Sequence, residues 1–138
     1  MPRLLIGLAF IAALTLAGCR VAPLYNANEI TFAAPPTSTV KEFTLDDYRN
    51  AIIRAGARRG WSFKEEEPGH LVGEVTVRGK HYASVDVLYN LNQFSIVYRG
   101  SRNLNYNASR KEIHPNYNSW IKLLQQDIQN EITEMKAS

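Results

Sequence analysis

The chain lacks a second cysteine: Cys19 stands alone among 138 residues. An internal disulfide is excluded, so a folded domain must be held by its apolar core, which about 100 residues can supply. Also missing is an apolar run long enough to cross a bilayer. Residues 4–17 make a run of fourteen, whereas a spanning helix needs ~20. Charge of one sign is not in large excess: 16 Lys and Arg against 13 Asp and Glu leave +3. That balance makes no basic stripe, and no nucleic-acid partner is expected. No Gly-rich phosphate loop, internal repeat or low-complexity domain occurs. His70, His81 and His114 fall in separate elements, none at ligand spacing from another His or from a cysteine. No metal and no cofactor is therefore expected.

What is present begins with a short positive segment, Met1-Pro2-Arg3, followed by the apolar run. Its length and its ending in the small residues Ala17 and Gly18 suit a signal peptide. Leu16-Ala17-Gly18-Cys19 then resembles the lipobox of bacterial lipoproteins. In that family the cysteine thiol accepts diacylglycerol and the leader is cut away before it. The resemblance covers residues 1–19 and implies that Cys19 is the lipidated mature N-terminus. Two acyl chains already suffice for stable anchoring, and three are implied here. Residue 20 is Arg. Asp at that position commonly retains Gram-negative relatives in the inner membrane, so the resemblance implies an outer-membrane location facing the periplasm.

Residues 20–40 read as a tether, with Pro35-Pro36 forbidding helix. Asn28-Glu29-Ile30-Thr31-Phe32 has the composition of a short strand that could join a sheet edge. A flexible tether from residue 19 to 44 would average roughly 28 Å and extend to about 80 Å. The expected division is a leader at 1–18, a lipidated N-terminus and tether at 19–40, and a globular domain at 41–138.

Thr44 is placed to cap a first helix, with Asp46 and Asp47 in its first turn and Gly60 as its stop. Arg54 and Arg58, one turn apart, read as a solvated face that complements the helix dipole rather than as an anion site. Four alternating segments follow. Their expected inward sets are Trp61 and Phe63; Leu71, Gly73, Val75 and Val77; Ala83, Val85, Val87 and Tyr89; and Phe94, Ile96 and Tyr98. Residues 100–116 show neither period, with Leu104 and Ile113 as anchors. Pro115 opens a last helix whose stripe runs Tyr117, Trp120, Ile121, Leu124, Ile128, Ile132 and Met135.

The expected fold is α+β: a two-layer sandwich of helix, four-stranded antiparallel meander and helix, with both helices on one sheet face. The segments 98–101 and 113–121 resemble small proteobacterial lipoproteins to which no activity is attached. Catalytic signatures are weak. Ser38 to Lys41 and Ser119 to Lys122 match S-x-x-K, but the partner motifs S-D-N and K-T-G are absent and the chain is too short for that enzyme fold. Glu65-Glu66-Glu67 alternates between faces and reads as a solvated run. No catalytic residue is assigned and the protein is not expected to be an enzyme.

The expected function is a cell-envelope lipoprotein, membrane-bound through Cys19. Its monomeric domain would bind an envelope protein or peptidoglycan. The alternatives are a small periplasmic enzyme with an unrecognised site, or a spacer. The expected binding residues are Tyr82, Asp86 and Arg99 on the open sheet face, with Tyr106 beside them if the fourth strand runs on past Gly100. A four-residue hairpin loop after Tyr89 would put Asp86 opposite Val97 and Ser84 opposite Arg99. A three-residue turn after Arg78 would put Arg78 opposite Tyr82.

Overall fold

The computed structural model describes residues 20–34 and 41–138. The lipobox-like segment with Cys19, the Pro-Pro segment and Ser38 lie outside the described residues. The elements are β1 (Ala22–Pro23), β2 (Ala27–Thr31), α1 (Leu45–Ala57), β3 (Ser62–Glu67), β4 (His70–Val77), β5 (His81–Tyr89), β6 (Gln93–Arg102), β7 (Glu112–Ile113) and α2 (Pro115–Ala137). The fold is α+β, with a five-stranded antiparallel sheet in the order β2-β6-β5-β4-β3 and a two-stranded ribbon of β1 and β7.

The first helix starts where the sequence places it. The Asp47 N–H donates to Thr44 Oγ1 and the Thr44 N–H donates to Asp47 Oδ2, a complete capping box. The same contact holds the Asp47 carboxyl below the usual carboxylate range. Tyr48, Ala51, Ile52 and Ala55 are buried on its inner side. The main chain then turns through Gly60 at φ +86°, a conformation that favours glycine. Gly56 and Gly73 leave room for the Phe63 ring, since a Cβ at either position would overlap it. That slot draws α1, β3 and β4 together.

One sheet face carries Leu71, Val75, Ala83, Val85, Val87, Tyr89, Phe94 and Ile96, all buried. These residues share one core with the inner stripes of both helices. The expected inward sets and the two-helix layer therefore hold. Arg54 and Arg58 do not face solvent alone: both donate to Glu131 of α2, while Arg59 pairs with Asp127. Three guanidinia thus bridge the helices.

The sheet has five strands rather than the four of the expected meander. The fifth is β2, within the stretch read as a tether, and it covers the outer edge of β6. A register shift between Ala27 and Ile30, with Glu29 at φ +49°, breaks its alternation. Phe32 follows it into the core, stacked on Tyr48 at 4.8 Å and on Phe94 at 5.6 Å. That edge strand matches the candidate at residues 28–32, whereas the ribbon was not anticipated. Ala22 pairs with Ile113 and Pro23 with Glu112, and the Tyr25 N–H donates to Asn118 Oδ1.

Residues 100–116 are more ordered than an open loop. Strand β6 runs through Gly100 to Arg102, and Leu104 and Ile113 are buried anchors. Asn103, Asn105 and Lys111 all take positive φ, which makes tight reversals without a periodic pattern. The His114 N–H donates to Leu104 O at 2.7 Å and closes the excursion.

Candidate binding surface on the open sheet face

Strands β3 to β6 alternate, so the residues between the buried positions line the face away from the helices. In β4 these are His70, Val72, Glu74 and Thr76; in β5, Tyr82, Ser84, Asp86 and Leu88; in β6, Ser95, Val97, Arg99 and Arg102. Asp86 lies opposite Val97, in the expected register. Arg99 is not opposite Ser84. A bulge sets Ser84 against Gly100, and Arg99 is the extra residue. Bulges re-aim a side chain, and here the Arg99 Nη1 donates to Asp86 Oδ1 at 2.9 Å.

The same oxygen accepts from His70 Nε2 at 2.7 Å. A carboxylate can only accept, so that ring nitrogen carries the proton. The three groups form a compact acid–base cluster, and Asp86 and His70 are each about a quarter exposed.

Tyr82 belongs to a second cluster. The β4–β5 turn uses residues 78–80, with Arg78 and Gly79 both at positive φ. It therefore begins one residue earlier than expected, and Tyr82 faces Thr76 instead of Arg78. The Tyr82 hydroxyl donates to Glu74 Oε1 at 2.9 Å, and the Arg102 guanidinium stacks 4.0 Å from its ring centroid. Asp86 is four residues along the same strand, about 13 Å away. The expected trio is thus two neighbouring clusters on one face.

Tyr106 is not beside them. It stacks on Tyr98 at 4.2 Å, and Tyr98 belongs to the inner set and meets Tyr117 of α2 edge-on at 5.6 Å. The chain does continue past Gly100, but the left-handed residues Asn103 and Asn105 swing Tyr106 to the helix side. Burial raises the pKa of Tyr98 and of Tyr117.

Sequence reading missed His70, Glu74 and Arg102 as members of the surface. Glu74 was legible as an outward residue of β4. Arg102 required the bulge, which sequence alternation does not announce. Next to Glu74 and Arg99, on the β3 side, lies a polar depression of about 270 Å³ lined also by Ser62, Phe63, Lys64, Glu66 and Val72.

The other polar motifs have local partners. His81 Nδ1 bonds Asn103 O, and His114 Nδ1 accepts from the Asn116 N–H at the start of α2. Ser119 Oγ donates to Pro115 O, while the Lys122 ammonium lies 5.2 Å from the Tyr25 ring centroid, so this S-x-x-K pair is not engaged. Glu65 accepts from Arg49. Among the described residues no three His, Cys, Asp or Glu converge as metal ligands. No helix among them is long and apolar enough to cross a membrane.

Searched against family models, curated proteins and solved structures, the chain matches none.

Proposed function

We propose that the protein is a lipid-anchored component of a bacterial cell envelope, held through Cys19, whose non-enzymatic domain docks an envelope protein on its open sheet face. The observation that carries the docking half is the pairing of two prearranged clusters, His70–Asp86–Arg99 and Glu74–Tyr82–Arg102, on a face that no described element covers. Aromatic and arginine side chains fixed before contact lose little freedom on binding and are the residues that most often dominate interfaces. The helix layer offers less, because its apolar stripes are spent on the core. The anchoring half rests on Leu16-Ala17-Gly18-Cys19 and the leader before it.

Two experiments test the halves separately. Labelled fatty acid should enter the wild-type protein and not Cys19→Ala; equal labelling of both removes the anchor. A photo-crosslinking residue placed at the exposed positions Thr76 or Leu88 should capture one dominant protein in cells. The same probe at exposed Gln126 on α2 should not. Equal capture from both faces, or capture of glycan strands alone, overturns the protein-docking reading.

A further inference from the structure

On the opposite side of the sheet the helix layer stops short of the end of β4. Val75 and Val77 form the floor of a half-open pocket of about 330 Å³, walled by Trp61, Trp120 and Leu123, with Arg58 and Arg59 at its rim. This volume lies at the lower end of the range for small-molecule sites, and an apolar lining with a few converging polar groups is their usual make-up. Leu123 is 42% exposed at the lip, a large apolar side chain left in water. Nothing in the core requires this, since the stripe of α2 that packs inward runs through Ile121, Leu124 and Ile128.

The arginine cluster at the rim, which includes Arg54 just outside the pocket lining, carries more positive than negative charge. Arg54, Arg58 and Arg59 face two carboxylates, Glu131 and Asp127, so one positive charge is left over. Arg58 uses only its Nη2 toward Glu131 among the described residues, and its side chain is 58% exposed. Its Nε and Nη1 have no hydrogen-bond partner among the described residues. A planar guanidinium with two free donors suits an anionic oxygen pair.

We propose that this pocket binds a small single-tailed amphiphile with one anionic head. The tail lies between Trp61 and Trp120 over Val75 and Val77, and the head meets Arg58. The site is distinct from the open sheet face and does not depend on the anchor.

Trp61 and Trp120 are the only tryptophans in the chain, so tryptophan emission, excited to the red of tyrosine absorption, reports on this pocket alone. The full chain is titrated with sodium decanoate, with decyl phosphate as a second arm and decanol as the uncharged control. The expected result is a saturable change in emission at one ligand per chain, at least tenfold weaker for decanol. The two anionic arms distinguish a fatty-acid source from a phospholipid-derived one. Leu123→Glu places a like charge at an exposed lip position and should weaken either anion at least tenfold with the thermal midpoint unmoved. Arg58→Gln should bring decanoate down to the level of decanol. Because Arg58 also pairs with Glu131, its thermal midpoint is measured alongside. A non-saturating change, equal affinity for decanol, or no response to Leu123→Glu overturns the proposal.

Discussion

At the scale of single residues, Glu131 couples the two helices most directly. It is 7% exposed yet accepts from both Arg54 and Arg58. Hydrogen bonding from Arg54, opposed by burial and reinforced by the charge of Arg58, holds its pKa below the ordinary 4.5. A carboxyl with a depressed folded pKa contributes stability that is present above the unfolded value and lost as pH falls through the folded one. The acid limb of a stability profile below about pH 4.5 should therefore flatten in Glu131→Gln relative to wild type. At neutral pH the variant should lose about 1–2 kcal/mol in urea unfolding. That is less than the 3–5 kcal/mol for orphaning a fully buried charge, because the arginines left behind are half in water. An unchanged acid limb would show that the pair contributes nothing. Tyr117 presents the opposite case. Its hydroxyl is buried with no partner among the described residues. An unsatisfied buried hydroxyl costs about 1–3 kcal/mol, so Tyr117→Phe should raise stability, by up to about 1 kcal/mol once lost packing is counted. A fall in the thermal midpoint would mean that the hydroxyl is satisfied in solution.

At the scale of elements, Phe32 decides whether residues 20–34 are part of the domain. It stacks on Tyr48 and Phe94, and the neighbouring Ala33 carbonyl accepts from Lys136 Nζ. Phe32→Ala should cost about 3–5 kcal/mol, the usual range for emptying a buried aromatic site. A tether residue would cost nothing measurable, and urea unfolding separates the two. This segment also marks the limit of what the sequence made legible. Helix stripes and the inward sets of β3 to β6 were readable because each repeats a fixed period over several residues, and the cap at Thr44 because its residue types form a local motif. The edge strand could be named only as a candidate, because its bulge at Asn28 and Glu29 interrupts the alternation after one residue. Strands β1 and β7 are two residues each, too short for any period. The candidate surface divides the same way. Asp86 lies opposite Val97 because the hairpin register follows from its loop length, and Arg99 meets Asp86 from a bulge that the alternation does not announce. Tyr82 acquires other partners because Arg78 enters the turn in a left-handed conformation, which arginine rarely adopts and composition does not signal. Tyr106 was lost to two left-handed asparagines, Asn103 and Asn105.

At the scale of the whole molecule, the ribbon changes how the anchor would hold the domain. Sequence composition allows a long tether after Cys19, averaging roughly 28 Å. The structure has Ala22 paired with Ile113, and the Asn118 amide donates to Pro23 O while its oxygen accepts from the Tyr25 N–H. On the anchor reading, only Arg20 and Val21 then separate the lipidated residue from the folded body, a reach of about 10 Å. The domain would sit flush with the headgroups. A partner on the open sheet face would have to lie in or near the same membrane surface, not deep in the periplasm. Neutron reflectivity of the acylated protein on a supported bilayer should place protein density directly against the headgroup layer. A hydrated gap near 30 Å would mean that β1 detaches in the membrane-bound state. Inserting twenty Gly and Ser residues between Val21 and Ala22 should open such a gap, about 25 Å on average, without touching the core. If the partner is held at the membrane surface, crosslinking from Thr76 and Leu88 should fall severalfold in that variant while its thermal midpoint stays put. Undiminished capture would place the partner within reach of a freely swinging domain, and the short anchor would then have no bearing on docking.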